Sequence, residues 1–287
     1  MVVADDGCTD SMSPDPSEGL EMMFRNFGFH VNRSQFTRSL LVNLASSLIL
    51  SISQPTLAQS GQKTFASPQR ASEALYEAVR NKDLPEVQAI LGAPELTSTG
   101  DNETDKLERE RFVQKYGEMH RLVREGKGST ILFIGAENWP FPMPIVATNG
   151  RWHFDPKIGA EEIRAREIGE NEVSAVEVCR MISKNGSSDT PAVDDNIVGF
   201  ANSLKNGESK SSGHAELFRG YYFQLLPEAA DNTKLVAYPS EYGTTGVMTF
   251  VVRADGVYEK DLGPNTAVVA KGKLPGKWNQ VHLYALQ

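Results

Sequence analysis

The sequence predicts an α+β fold: a helical hairpin packed on a small antiparallel sheet, followed by a long helix against a C-terminal antiparallel sheet. Three observations carry this expectation. Two capped amphipathic patterns stand close together at Ser67–Gly92. A long helical pattern spans Gly159–Ser183. Short β-rich runs with Asn-Gly and Asp-Gly turns lie on either side of it.

Taken in order, residues 1–58 read as an over-called extension plus a signal peptide. Arg25, Arg33 and Arg38 precede the apolar run "LLVNLASSLILSI", and Thr56 and Ala58 stand at the −3 and −1 positions of a cut after Ala58. The run is too short and too polar for a comfortable membrane span, although an uncleaved anchor is the competing reading. Met22 or Met23 would serve as the true start. Cleavage removes Cys8 and leaves Cys179 as the single thiol, so the mature chain would hold no internal disulfide. No later segment is long and apolar enough to span a membrane.

Residues 65–158 form the first α+β part, with the helix–helix–sheet order of cystatin-like or NTF2-like folds, a fold-level analogy. Ser67 caps a helix with Pro68 at its first position, and Ala71, Ala74, Leu75, Ala78 and Val79 share a face. Asp83 with Glu86 makes a capping box, and Gly92 ends that helix. "NETDKLERERFVQKYGEMHRLV" reads as a third helix with a solvated charged face. "STILFIG" is a strand, "WPFPMP" an extended edge, and "PIVATNGRWHFD" a hairpin turning at Asn149–Gly150. Residues 159–183 are the long helix, with Ala175, Val178, Cys179 and Ile182 on one face. Residues 184–213 read as a polar linker with a short helical interruption at "DDNIVGFANSL". Residues 214–287 are the C-terminal β part: strands "LFRGYYFQLL" and "KLVAYP", a hairpin over Val247–Leu262 turning at Asp255–Gly256, and a last strand in "WNQVHLYAL".

Composition narrows function. The 287-residue chain has a formal net charge of −8 and no Lys/Arg stripe with interleaved aromatics, which argues against nucleic-acid binding. No metal motif is present: His120, His153, His214 and His282 are widely separated, and "DNETD" at Asp101–Asp105 reads as a polar helix start rather than a calcium loop. No cofactor motif, phosphate loop or serine elbow occurs. Cys179 lies on an apolar face, where a thiol is a small buried hydrophobe rather than a nucleophile.

Two constellations remain. Glu241 in "SEYGTTG" is the one weak catalytic candidate, a glycosidase-type acid with Glu137 or Asp155 as partner, or else a residue that fixes its own loop through backbone N–H bonds. Trp139, Phe141, Trp152 and Tyr222, together with Glu241, Tyr242 and Thr245, could line a ligand pocket or peptide groove, or the aromatics could fill two cores.

The stretches "ENWPFPMPIV", "GRWHFD", "VCR", "GYYFQLL", "YPSEYGTTGVMTFVV" and "VYEKDLGPNT", in that order, resemble the bacterial family called domain of unknown function 2950 from about Phe65 to Thr266. The resemblance implies an exported protein of Gram-negative bacteria with no assigned activity. Relatives carry a longer segment between "VCR" and "GYYF", which is shortened here to the polar linker. The C-terminal half is also similar to the globular heads of pilin-like secretion proteins. These readings leave three functions: a non-enzymatic module binding an envelope protein or small ligand, a hydrolase of an envelope polymer, and a pilin-like scaffold component.

Overall fold

The computed structural model describes residues 61–94, 102–126, 128–183, 194–206, 215–226, 233–272, 274 and 276–281. The signal-peptide reading, Cys8, and all of "HLYALQ" lie outside them. The chain divides into two compact units at Ile163/Arg164, and the fold is α+β in both.

In the first unit, α1 (Pro68–Arg80) and α2 (Leu84–Leu91) form the hairpin. Their starts follow from local chemistry: Ser67 Oγ accepts the Arg70 N–H and Asp83 Oδ1 accepts the Glu86 N–H. Gly92 closes α2 at φ 71°, a left-handed position that glycine takes without steric cost. Helix α3 (Asn102–Glu118) packs on α1. The sheet has the order β1 (His120–Arg124), β2 (Thr130–Ile134), β4 (Ile145–Thr148), β5 (Arg151–Phe154), with β3 (Trp139–Pro140) pairing on β2. Asn149 and Gly150 take positive φ at the tip of the β4–β5 hairpin, as the turn requires.

The third helix is shorter than its sequence pattern. "HRLV" leaves it to become β1, because Arg121–Val123 find hydrogen-bonding partners along β2, from Phe133 to Ile131. Tertiary pairing overrides helix propensity there. Its acidic face is not wholly solvated either, since Asp105 and Glu108 are buried.

The second unit begins within α4 (Pro156–Ile182). Its six-stranded antiparallel sheet runs β11 (Asn279–Gln280), β10 (Gly256–Asp261), β9 (Met248–Arg253), β8 (Leu235–Pro239), β7 (Tyr221–Leu225), β6 (Glu216–Phe218). Both faces are covered. Phe223, Leu235, Ala237, Phe250 and Val252 pack with Ala175, Val178 and Cys179 of α4 and with α5 (Asp195–Asn206). Val236, Tyr238 and Val251 pack with Trp278 and Ala270 of α6 (Thr266–Lys271). Central β8 is accordingly buried at every residue.

Two expectations are corrected here. The stretch "LFRGYYFQLL" is two strands, because Arg219 and Gly220 both take positive φ and turn the chain back on itself. The β9–β10 turn lies one residue earlier, at Ala254–Asp255, since Gly256 already pairs with Arg253. The short helix expected at "DDNIVGFANSL" is α5, and Ile197, Ala201 and Leu204 recur at its buried face. Among the described residues the last strand is Asn279–Gln280, within the expected "WNQVHLYAL", and α6 precedes it.

Candidate functional site

The densest polar geometry in the second unit surrounds the loop Ser240–Gly246 between β8 and β9. The loop closes on itself. The Glu241 carbonyl accepts the N–H groups of Thr244 and Thr245, and Gly243 N–H donates to the Gly246 carbonyl at 2.8 Å. Thr245 is its hub: Oγ1 accepts the Glu241 N–H at 3.1 Å and lies 3.1 Å from Ser240 Oγ.

Helix α4 pins this loop from below. Asn171 Nδ2 donates to the Thr245 carbonyl at 3.0 Å. Glu172 Oε1 accepts two backbone donors, Val247 N–H and Met248 N–H, both at 2.9 Å. Tyr221 O–H donates to the Met248 carbonyl at 2.9 Å and lies 3.5 Å from Glu172 Oε1. Two glycines permit the approach. A Cβ on Gly246 would fall 2.1 Å from the Tyr221 hydroxyl oxygen, and one on Gly220 would meet Asn171 and Thr245 below 3 Å. On the outer side, Tyr242 O–H donates to Asp261 Oδ2 at 3.2 Å.

The electrostatics are those of a half-buried anchor. Burial pushes the Glu172 carboxyl above the ordinary range, against the pull of its two backbone donors, and Asp261 adds repulsion. Burial and then Glu172 push Glu259 in the same direction. Glu172 Oε1 is fully engaged in holding the start of β9, so it acts as a clamp on the loop. Among the described residues no group of three His, Cys, Asp or Glu could hold a metal. Cys179 is buried, and desolvation raises its thiol well above its usual pKa, which suppresses the reactive thiolate.

The sequence-derived candidates separate. Glu241, Tyr242 and Thr245 come together in the loop, with Glu241 exposed and Tyr242 half-buried. What fixes the loop at Glu241 is its main chain, through both its N–H and its carbonyl. Tyr222 lies on the opposite face of the sheet from Tyr221, against Tyr238 at 5.7 Å, because strand side chains alternate. Trp139 (7% exposed) and Phe141 (1%) are in the core of the first unit, and half-buried Trp152 packs against it. Glu137 pairs with Lys115 at 3.1 Å, and Asp155 accepts the N–H groups of Lys157 and Ile158 at the start of α4. Both proposed acid partners therefore hold structural contacts. Of "DNETD", Asp101 lies outside the described residues and Asp105 is buried in α3.

Sequence reasoning passed over Asn171 and Glu172, and weighed Tyr221 only as one of the aromatics that could line a pocket. One signal was available: Glu172 stands at i, i+3, i+7 with Ala175 and Cys179, a carboxylate on the buried stripe of α4. A charge there needs a partner.

No helix among the described residues is long and apolar enough to cross a membrane. No curated protein and no solved structure matches the chain. Residues 62–213 and 183–274 match the family described as protein of unknown function (DUF2950), and the two matched stretches overlap in the polar region after the "VCR" motif. Spanning most of the sequence, this match makes the chain a member of DUF2950.

Proposed function

We propose that this DUF2950 member is an exported bacterial envelope protein that works by binding a partner or small ligand at the Ser240–Gly246 loop, without catalysis. One observation carries the reading. The loop is held by its own backbone bonds and clamped by Asn171 and Glu172, yet it leaves Glu241 exposed and Tyr242 only half-buried. A rigid, preorganised turn of this kind loses little conformational entropy on binding. Export rests on the basic, apolar and small-residue pattern ending at Ala58.

The test has two parts. Intact mass of the protein from the periplasmic fraction should begin at Gln59; retention of Leu40–Ile52 would favour the anchored, pilin-like scaffold instead. A photo-crosslinking residue at Thr244 should then capture one discrete species in intact cells, and Tyr242→Ala should abolish that capture. Capture that persists in Tyr242→Ala removes the loop as the binding element.

The hydrolase reading draws on the raised carboxyls of Glu172 and Glu259, since perturbed acids concentrate at active sites. It requires Glu241 to act with a second carboxylate. Unchanged envelope-polymer turnover in a folded Glu241→Gln strain eliminates it.

A further inference from the structure

A second feature lies in the first unit, and its lining includes none of the residues weighed above as site residues. Helices α1 and α3, which share the Tyr76–Tyr116 stack (4.4 Å), also line a groove of about 270 Å³. Val79 and Val113 line it, and Arg80, Lys82, Lys106 and Arg109 surround them; Glu110 is the one acid of its lining. That is an excess of cations in a chain whose net charge is −8.

Helix electrostatics explain half of this charge. Arg80 and Lys82 stand at the C-terminal end of α1, where cations complement the macrodipole, and Arg80 also pairs with Glu77. Lys106 and Arg109 stand past the first turn of α3, where the dipole gives them no stabilisation. Lys82 and Lys106 form no ion pair among the described residues. Arg109 retains only 19% of its side-chain surface, its nearest acid Asp105 is 4.0 Å away, and its buried Nη1 has no hydrogen-bond acceptor.

We propose that this groove binds a small organic anion, with a carboxylate or phosphate-monoester head group at Arg109, Lys82 and Lys106 and a short apolar tail on Val79 and Val113. A planar guanidinium matches the oxygens of either head group, and the two lysines add point charges beside it. Half-buried Val113, beside core Val79, gives an organic anion an advantage over a bare one through contact with its tail. The volume lies at the small end of ligand sites and excludes large cofactors. This site is independent of the loop, so it stands or falls without the export and loop-binding reading.

The experiment is a titration of the whole protein with hexanoate, hexyl phosphate and hexanol, followed by the NMR methyl signals of Val79 and Val113. Saturable shifts with the two anions and none with hexanol are expected, and the tighter anion identifies the head group. Arg109→Gln should abolish the response. Should that variant fail to fold through loss of the Asp105 contact, Lys82→Gln/Lys106→Gln decides: surface charges are tolerant of replacement, and binding should weaken about tenfold. Shifts of equal size with hexanol, no saturable shift with either anion, or unchanged affinity in the double lysine variant would overturn the proposal.

Discussion

The two units use their most distinctive residues in opposite ways. In the first, the aromatic stretch "WPFPMP" is buried as packing. Phe141 meets Phe112, Trp139 and Phe154 edge-on at ring distances of 5.9, 6.3 and 5.8 Å, and Gly159 of α4 lies against Met143 so closely that a Cβ would sit 2.3 Å from it. In the second, "SEYGTTG" is a polar knot of small residues around one half-buried carboxylate. Both stretches look equally specific as sequence. One is specific because rings must interlock, the other because glycines must let a tyrosine and a helix reach the backbone. A specific-looking motif therefore reports a tight geometric demand, and only the surroundings say whether the demand is for packing or for presenting a loop.

The largest test of that contrast is Phe141→Ala. Removing a fully buried ring should cost about 3–5 kcal/mol and, by hydrogen exchange, loosen α1, α3 and β2 first. Loss of protection centred instead on β8 and β9 would show that the two cores do not act as separate packing units.

Next is Gly246→Ala. The added methyl must displace buried Tyr221 from its bond to the Met248 carbonyl, which should cost about 1–3 kcal/mol. Chemical denaturation measures it, and a cost within experimental error would show that the knot yields easily.

Acid and base should separate the units further. His153, in the first unit, is buried, and desolvation lowers its pKa below the ordinary 6.5. Above 6.5 it is neutral whether folded or unfolded. As pH falls below that, the unfolded chain takes up a proton that the folded chain resists, so stability is lost. Glu172 and Glu259 behave oppositely, with folded pKa values raised above about 4.5 by burial. Below 4.5 both forms are protonated and the contribution to stability is complete; it is lost as pH rises through the raised values. Asp194, held low by the Asn196 N–H and Arg219, runs against that trend within the second unit. Glu172→Gln keeps an acceptor for Val247 and Met248 and removes the half-buried charge. It should match or exceed the parent's stability at neutral pH and lose that advantage in acid. A pH series of melting temperatures checks this; a Gln variant that is weaker at neutral pH would mean that the ionised carboxylate is required.

The smallest effect expected is for Glu241→Gln. The side chain is exposed and the loop is closed by main-chain bonds, so stability should change by no more than about 0.5 kcal/mol. A larger loss in thermal denaturation would transfer the loop's closure from backbone to carboxylate.

Read from sequence alone, the α+β class, the caps at Ser67 and Asp83, the Asn149–Gly150 turn and the buried stripe of α4 were all determined. Each depends on residues within a turn or two of one another, and capping, φ preference and periodicity act over that range. The tertiary structure alone decided where α3 yields to β1, which of Tyr221 and Tyr222 faces the helix, and that Glu172 reaches Val247 across 75 positions of chain. Pairing register and burial settle those questions, and both are set by partners distant in sequence: a shift of one residue in β7 would exchange the two tyrosines and leave Glu172 without its neighbour.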